Sequence, residues 1–323
     1  MTISRLRLIV QHLSFVILTF GGNFKISLGS SLPCLSCPFI GSCGGGCYLM
    51  ALQRSMAWLW PPIVQALVGT GSWTQAWNST TYFLGGLAVF VGLVILLGKS
   101  WCGWLCPFGV VQDWLSRIRR LFKIRESEIL LNNKQRISML KYVLLFYLLF
   151  LPSLSGFGLL PRDFVLAFCN ICVAKLIMPM VTGDLNHWIL GASGGARYIY
   201  AVILLLLTGS MSIGMFFKDR FFCLFCPMLA IIDLLRPFHI LRLAKDPSAC
   251  RGCGNCRRNC SMDNQTIYLE RVKKRVYDPD CLGCFTCSEG CASDDSLSVR
   301  FGPLTLFSSS RRYSSRNLTG GGL

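Results

Sequence analysis

Four stretches of this 323-residue chain, Leu8–Phe24, Tyr82–Gly98, Tyr142–Leu160 and Tyr198–Phe217, contain no Asp, Glu, Lys or Arg. A helix needs roughly 20 apolar residues to cross a hydrocarbon core about 30 Å thick. One Lys or Arg at mid-span costs roughly 2.5–3.5 kcal/mol on insertion scales, so charge-free runs of this length suit a bilayer. They predict an all-α multi-pass membrane bundle of four transmembrane helices. The chain is 53% hydrophobic and only 15% charged, against about a quarter charged in ordinary soluble proteins. Its net charge of +17 would suit nucleic acid. The basic residues, however, border the apolar spans, so the lipid bilayer is the expected partner and nucleic acid is not.

Arg5 and Arg7 precede the first span. Lys99, Arg117, Arg119, Arg120, Lys123, Arg125, Lys134, Arg136 and Lys141 lie between the second and third. Lys218, Arg220, Arg236 and Arg242 follow the fourth. Positive-inside then places both termini and the middle loop on the cytoplasmic side of an inner membrane. A cleaved signal peptide is the alternative for the first span, but no small-x-small site follows it. The two opposite loops are too apolar for simple loops. Tyr48–Gly69, with Trp58, Trp60 and Pro61-Pro62, reads as an interfacial or re-entrant helix broken at the prolines, and Phe164–Leu190 has similar character. Ser308–Leu323 is rich in Ser, Arg and Gly and predicts a disordered tail.

The 18 cysteines fall into local pairs and quartets. Cys250, Cys253, Cys256 and Cys260 follow C-x2-C-x2-C-x3-C, and Cys281, Cys284, Cys287 and Cys291 repeat it. This is the spacing of two-cluster bacterial ferredoxins, in which the fourth Cys of each run ligates the other cluster. One [4Fe-4S] cluster then takes Cys250, Cys253, Cys256 and Cys291, and the other Cys281, Cys284, Cys287 and Cys260. Ser261 and Ala292 stand where proline usually follows. Structural zinc, the alternative, commonly uses two separated pairs.

Cys102-Gly-Trp-Leu-Cys106-Pro107 has a counterpart in Cys223-Leu-Phe-Cys226-Pro227. Asp113 and Asp233 lie at equivalent positions beyond the prolines. These four thiols are candidates for a redox or ligand site, one shared cluster being the boldest form; packed turns and dithiols are the alternatives. Cys34, Cys37, Cys43, Cys47, Cys169 and Cys172 form a further group, read as facing outward, where thiols oxidise unless ligated. A matching site there would use Cys169 and Cys172 with two of the other four. The order of helix, outer Cys loop, helix, inner Cys-Pro turn recurs, giving a pseudo-two-fold repeat. The expected domains are 1–120 and 121–243 for the membrane repeats, 244–301 for an α+β two-cluster ferredoxin-like domain, and 302–323 for the tail. His12, His187 and His239 fall at different depths or sides, so no haem is expected; His12 reads as a packed helix histidine.

With these motifs the chain resembles polyferredoxin-type membrane proteins of the NapH/NosR kind. The likeness covers two pairs of spans, Trp101–Gly109 with its Cys-x3-Cys-Pro, a second Cys-Pro turn, and the two quartets. It implies electron transfer between membrane quinols and redox partners, often extracytoplasmic reductases or their maturation systems. The second inner motif is one residue shorter, Val173 replaces a proline after Cys172, and no periplasmic flavin domain is read.

The leading expectation is an electron-transfer subunit without substrate chemistry of its own. It would use two [4Fe-4S] clusters, one or two additional iron–sulfur clusters, and a quinone as a further candidate cofactor. Its redox partner would be a membrane or extracytoplasmic reductase, or a cytoplasmic electron carrier. The alternatives are a transmembrane thiol–disulfide relay and an assembly factor for a metalloenzyme. Arg251, Arg257, Arg258, Lys273, Lys274 and Arg275 form a basic face for an acidic partner or anionic lipid.

Overall fold

The computed structural model describes residues 2–37, 39–124, 134–183, 196–276 and 278–311. The N-terminal part is helical. Helix α1 (Ile3–Phe20) starts at Thr2, whose side chain accepts from the Arg5 N–H, as N-cap threonines do. Helices α2 (Tyr48–Val68) and α3 (Trp73–Leu97) form a hairpin. It turns at Gly69, which takes a left-handed conformation with φ 81° that glycine adopts without Cβ strain. Helix α4 (Pro107–Leu121) follows a π-helical turn at Trp101–Leu105. Helix α5 (Lys134–Gly156) packs along α2 and leads to the short α6 (Ala167–Ile171) and to α7 (Val173–Thr182). Helices α8 (Ala196–Phe217) and α9 (Pro227–Leu234) complete the bundle.

Among the described residues, three helices are long and apolar enough to cross a membrane: Ile3–Phe24, Trp73–Leu97 and Arg136–Gly156. Of the fourth expected span, the described apolar part is Leu205–Phe217. Arg162–Ile171 and Val173–Thr182 meet at 83°, as a broken span or re-entrant loop does. The prolines expected to break Tyr48–Gly69 do not break it, because α2 runs through Pro61 and Pro62 as one 21-residue helix. Each proline in a helix interior withdraws one backbone donor, here the partners of the Ala57 and Trp58 carbonyls. The end of α5 covers the first of these: a Cβ on Gly156 would lie 2.7 Å from the Ala57 oxygen.

The C-terminal part is a small α+β unit. Strands β1 (Leu241–Lys245), β2 (Leu297–Phe301) and β3 (Leu304–Ser308) form an antiparallel sheet in the order β1-β2-β3. The tail expected from residue 302 is therefore corrected: Leu304–Ser308 pairs with β2 through a hairpin whose turn uses Gly302 at φ 57°. Leu304, Leu306 and Phe307 give that segment an apolar strand character that the polar residues after it lack. Residues 312–323 and His187 lie outside the described residues.

This unit is seated on the helical part by two buried lysines. Lys99 Nζ donates to the carbonyls of Asp278 at 2.8 Å and Pro279 at 3.0 Å and pairs with Asp233 at 2.6 Å. Lys141, fully buried, pairs with Asp280 at 2.7 Å. Gly103 and Gly283 are where the two parts touch most closely. A Cβ on Gly103 would lie 2.6 Å from the Leu282 oxygen, and one on Gly283 2.8 Å from the Ser100 nitrogen.

Candidate metal centres

Four helices of the bundle begin with a cysteine. Cys47 caps α2, Cys106 caps α4, Cys172 caps α7 and Cys226 caps α9, with φ between −78° and −66° and ψ between 115° and 123°. The conformation is the same extended one each time, so each thiol stands at a helix start, where unpaired N–H groups and the helix dipole favour negative charge. The shorter C-x2-C of the second Cys-Pro motif is accommodated locally. Cys102-x3-Cys106 is spanned by the π turn, and Cys223-x2-Cys226 by a tighter 3-10 turn at Phe221–Leu224.

The thiols converge on four small cavities. The first is lined by Cys250, Cys253, Cys256 and Cys291. The second is lined by Cys260, Cys281, Cys284 and Cys287. The third holds Cys102, Cys106, Cys223 and Cys226, with Cys34 beside them. The fourth holds Cys37, Cys47, Cys169 and Cys172.

The cavities lie in file. Ile267 lines both the first and second, Leu282 both the second and third, and Leu35 both the third and fourth. All three side chains are buried.

The six cysteines read as one outward-facing group are split by the structure. Cys34 joins the third cavity, in electrostatic reach of Cys106. Cys43 lines neither bundle cavity; its Sγ contacts the Gly45 carbonyl at 2.8 Å and that of Leu18 at 3.4 Å. Separation of the two groups by a bilayer is corrected too. Ser14 Oγ already donates to the Leu105 carbonyl at 2.7 Å. Four residues on, the Leu18 carbonyl accepts from the Gly44 N–H at 3.1 Å. Four residues of helix rise only about 6 Å. The loop after α1 folds back against its end through Gly44-Gly45-Gly46, and a Cβ on Gly44 would run into the Ile17 oxygen.

Several supporting residues escaped the sequence reading. Arg7, Gln11 and Ser14 form a polar stripe on α1 at helical spacing. Arg7 Nε and Gln11 Nε2 donate to the Gly103 carbonyl at 3.0 and 2.9 Å, so the stripe satisfies carbonyls of the Trp101–Leu105 turn. Buried Gln112 donates to Cys223 Sγ at 3.6 Å and accepts from the Phe222 N–H at 3.0 Å. Asp113 accepts from Arg220 Nε at 2.6 Å and Nη2 at 2.5 Å. Since Asp233 pairs with Lys99, each Cys-Pro block supplies the carboxylate for a cation three residues before the other block's first cysteine. The repeated Asp was visible in sequence, but its partner was not. His12 accepts from Trp114 Nε1 at 3.2 Å and His239 is buried against Gly98.

Among the described residues, no three His, Cys, Asp or Glu side chains are arranged to hold a single metal ion. A zinc site draws four ligands to about 2.3 Å from one centre. Four thiols set around an apolar-lined space fit a multi-iron cluster, whose ligands stand apart.

A 4Fe-4S binding domain matches residues 80–125 and again 199–243, and a 4Fe-4S dicluster domain matches 242–292. The chain is 23% identical over 67% of its length to an uncharacterized protein of Methanocaldococcus jannaschii, covering 79% of that protein. It is 25% identical over 64% of its length to the putative electron transport protein YccM of Escherichia coli, covering 52% of it. With the regulatory protein NosR of Pseudomonas aeruginosa it shares 25% identity over 60% of its length, spanning 24% of that longer chain. No solved structure matches. With its iron–sulfur domains and these relatives, the chain is similar to polyferredoxin-type membrane proteins of the NapH/NosR kind.

Proposed function

We propose that this chain is a membrane-bound electron carrier that holds [4Fe-4S] clusters in its first three cavities and passes electrons between a cytoplasmic redox protein and a partner enzyme. When bound, such clusters supply one-electron redox chemistry over a wide range of potentials. The observation that carries the reading is the file of cysteine cavities, in which successive cavities share one buried apolar side chain, Ile267 and then Leu282.

The ligands are Cys250, Cys253, Cys256 and Cys291 for one cluster and Cys281, Cys284, Cys287 and Cys260 for the next. Cys102, Cys106, Cys223 and Cys226 hold the third and bind the two membrane repeats into a pseudo-two-fold unit. Lys99 and Arg220, each near these thiols, offset the negative charge of a thiolate site. Lys99, Lys141 and the close approaches at Gly103 and Gly283 keep the ferredoxin-like unit seated, with both termini on the cytoplasmic face of the inner membrane.

A broad cleft is lined by Arg5, Arg7, Arg117, Arg120, Arg257 and Arg258, which outnumber Asp113, Asp219 and Asp263 beside them, and reaches Cys253 and Cys260. Cys253 is exposed. The cleft suits an acidic redox protein as the electron donor, with a membrane quinol as the competing source. The names of the relatives, electron transport protein YccM, NosR and NapH, agree with a redox system.

Anaerobically prepared protein should show at least three reducible [4Fe-4S] clusters by EPR and iron–sulfide analysis, and Cys106→Ser should lose one while both ferredoxin-type signals remain. Full cluster content in Cys106→Ser, with Cys102, Cys106, Cys223 and Cys226 of the parent resisting alkylation until a reductant is added, would establish a thiol relay instead.

A further inference from the structure

The fourth cavity lies largely outside the matched domains, which begin at residue 80 and skip 126–198. It is built like the third. Cys47 and Cys172 cap α2 and α7 as Cys106 and Cys226 cap α4 and α9. A glutamine stands six residues after Cys47 and another six after Cys106. Gln53 Nε2 donates to Cys169 Sγ at 3.2 Å while Gln53 Oε1 accepts from the Phe168 N–H at 2.8 Å. Gln112 does the same to Cys223 and Phe222. In both cases a Phe-Cys pair is clamped at its nitrogen and its sulfur by one buried amide.

The fourth cavity also holds a buried cation. Lys175 is 4% exposed, lines the cavity, and stands in electrostatic reach of Cys37, Cys169 and Cys172. Among the described residues no Asp or Glu forms an ion pair with it, and its Nζ lies 4.5 Å from the centre of the Phe39 ring. A buried ammonium needs a compensating negative charge, which a cluster with four thiolates provides. Like the third cavity, the fourth sets four thiols around a space lined by apolar side chains. One zinc ion would need its ligands drawn together, which is not their arrangement.

We propose that Cys37, Cys47, Cys169 and Cys172 bind a fourth [4Fe-4S] cluster, at the end of the file beyond Leu35. This rests on the reading of the first three cavities as cluster sites. Cys43 is not a ligand, and Cys34, in electrostatic reach of both Cys106 and Cys47, stands between the two bundle sites.

The test is iron and acid-labile sulfide per chain, with Mössbauer spectra, on the full-length protein reconstituted anaerobically in detergent. The parent should hold about sixteen irons. Cys169→Ser and Cys172→Ser should each lose about a quarter of them, while Cys43→Ser loses none. Gln53→Leu should keep the full complement but lower the reduction potential of one cluster, because hydrogen bonds to sulfur raise it. That last readout does not depend on a cysteine variant folding. A parent with about twelve irons, unchanged in Cys169→Ser and with all potentials unchanged in Gln53→Leu, overturns the fourth site alone. A parent without cluster iron overturns the reading of all four.

Discussion

Replacing Asp113 by Asn tests the cross-block ion pairing directly. Arg220 is fully buried, and Asp113 is its bidentate acceptor as well as the partner of Arg7 at 3.2 Å. No room exists for Arg220 to swing away, since its Nη1 already occupies the space that a Cβ on neighbouring Gly109 would take. Asn has nearly the same shape, so the variant removes charge and little else. Removing one partner of a buried pair costs about 3–5 kcal/mol, because the other charge stays buried and unpaired. The Asp113 side chain is 22% exposed, which favours the lower end, about 3 kcal/mol, or a factor of roughly 100 in the folding equilibrium.

Pulse proteolysis across a urea series, done anaerobically on loaded protein, reads this difference. The control is Asp294→Asn, whose pair with Arg311 is 56% exposed on both sides and should change stability by less than about 0.5 kcal/mol. The two variants should also differ in pH response. Burial pushes the Asp113 carboxyl up, but Arg220 and Arg7 outweigh it and hold it below its usual 3.8. Its contribution is therefore complete above the unfolded value and lost as pH falls through the lower folded one. Asp113→Asn should remove that acid-limb dependence. Equal stability of the two variants would refute the claim that crossed ion pairs hold the Cys-Pro blocks together.

Gly103→Ala should unseat the ferredoxin-like unit, since its Cβ would meet the Leu282 carbonyl at 2.6 Å. Overpacking of this kind costs about 1–3 kcal/mol, and faster tryptic release of the C-terminal unit with unchanged iron content is the expected result. Cys253→Ser should remove one of the two ferredoxin-type EPR signals and weaken the other, whereas tight zinc in place of iron in the parent would contradict the cluster assignment. Reduction by an acidic soluble ferredoxin should slow as ionic strength rises, because steering by the basic cleft is screened over about 10 Å at 0.1 M salt; a salt-independent rate would point to a quinol donor. Lys99→Met should destabilise by about 3–5 kcal/mol in the same proteolysis assay, by leaving Asp233, itself 6% exposed, without its cation.

Hydropathy and cysteine spacing are local properties, and the features they dictate were legible in the sequence. The charge-free runs announced α1, α3 and α5 because insertion depends on the composition of one segment. The ferredoxin quartets were legible because the first three thiols of each run, two residues between neighbours, can wrap one cluster whatever surrounds them. The helix through Pro61 and Pro62 was not, since the energy that keeps it whole comes from packing against α5. Nor was β3, a five-residue strand at the start of the expected tail that pairs because β2 offers an open edge. Above all, sequence could not tell Cys34 from Cys37. Three residues apart in one motif, they line different cavities because the glycine run at 44–46 folds their loop onto the end of α1. Partners such as Asp113 and Arg220, or Gln53 and Cys169, lie more than 100 positions apart. Tertiary packing alone decides which buried charge or thiol meets which, because a buried polar group must find its partner wherever the fold brings one.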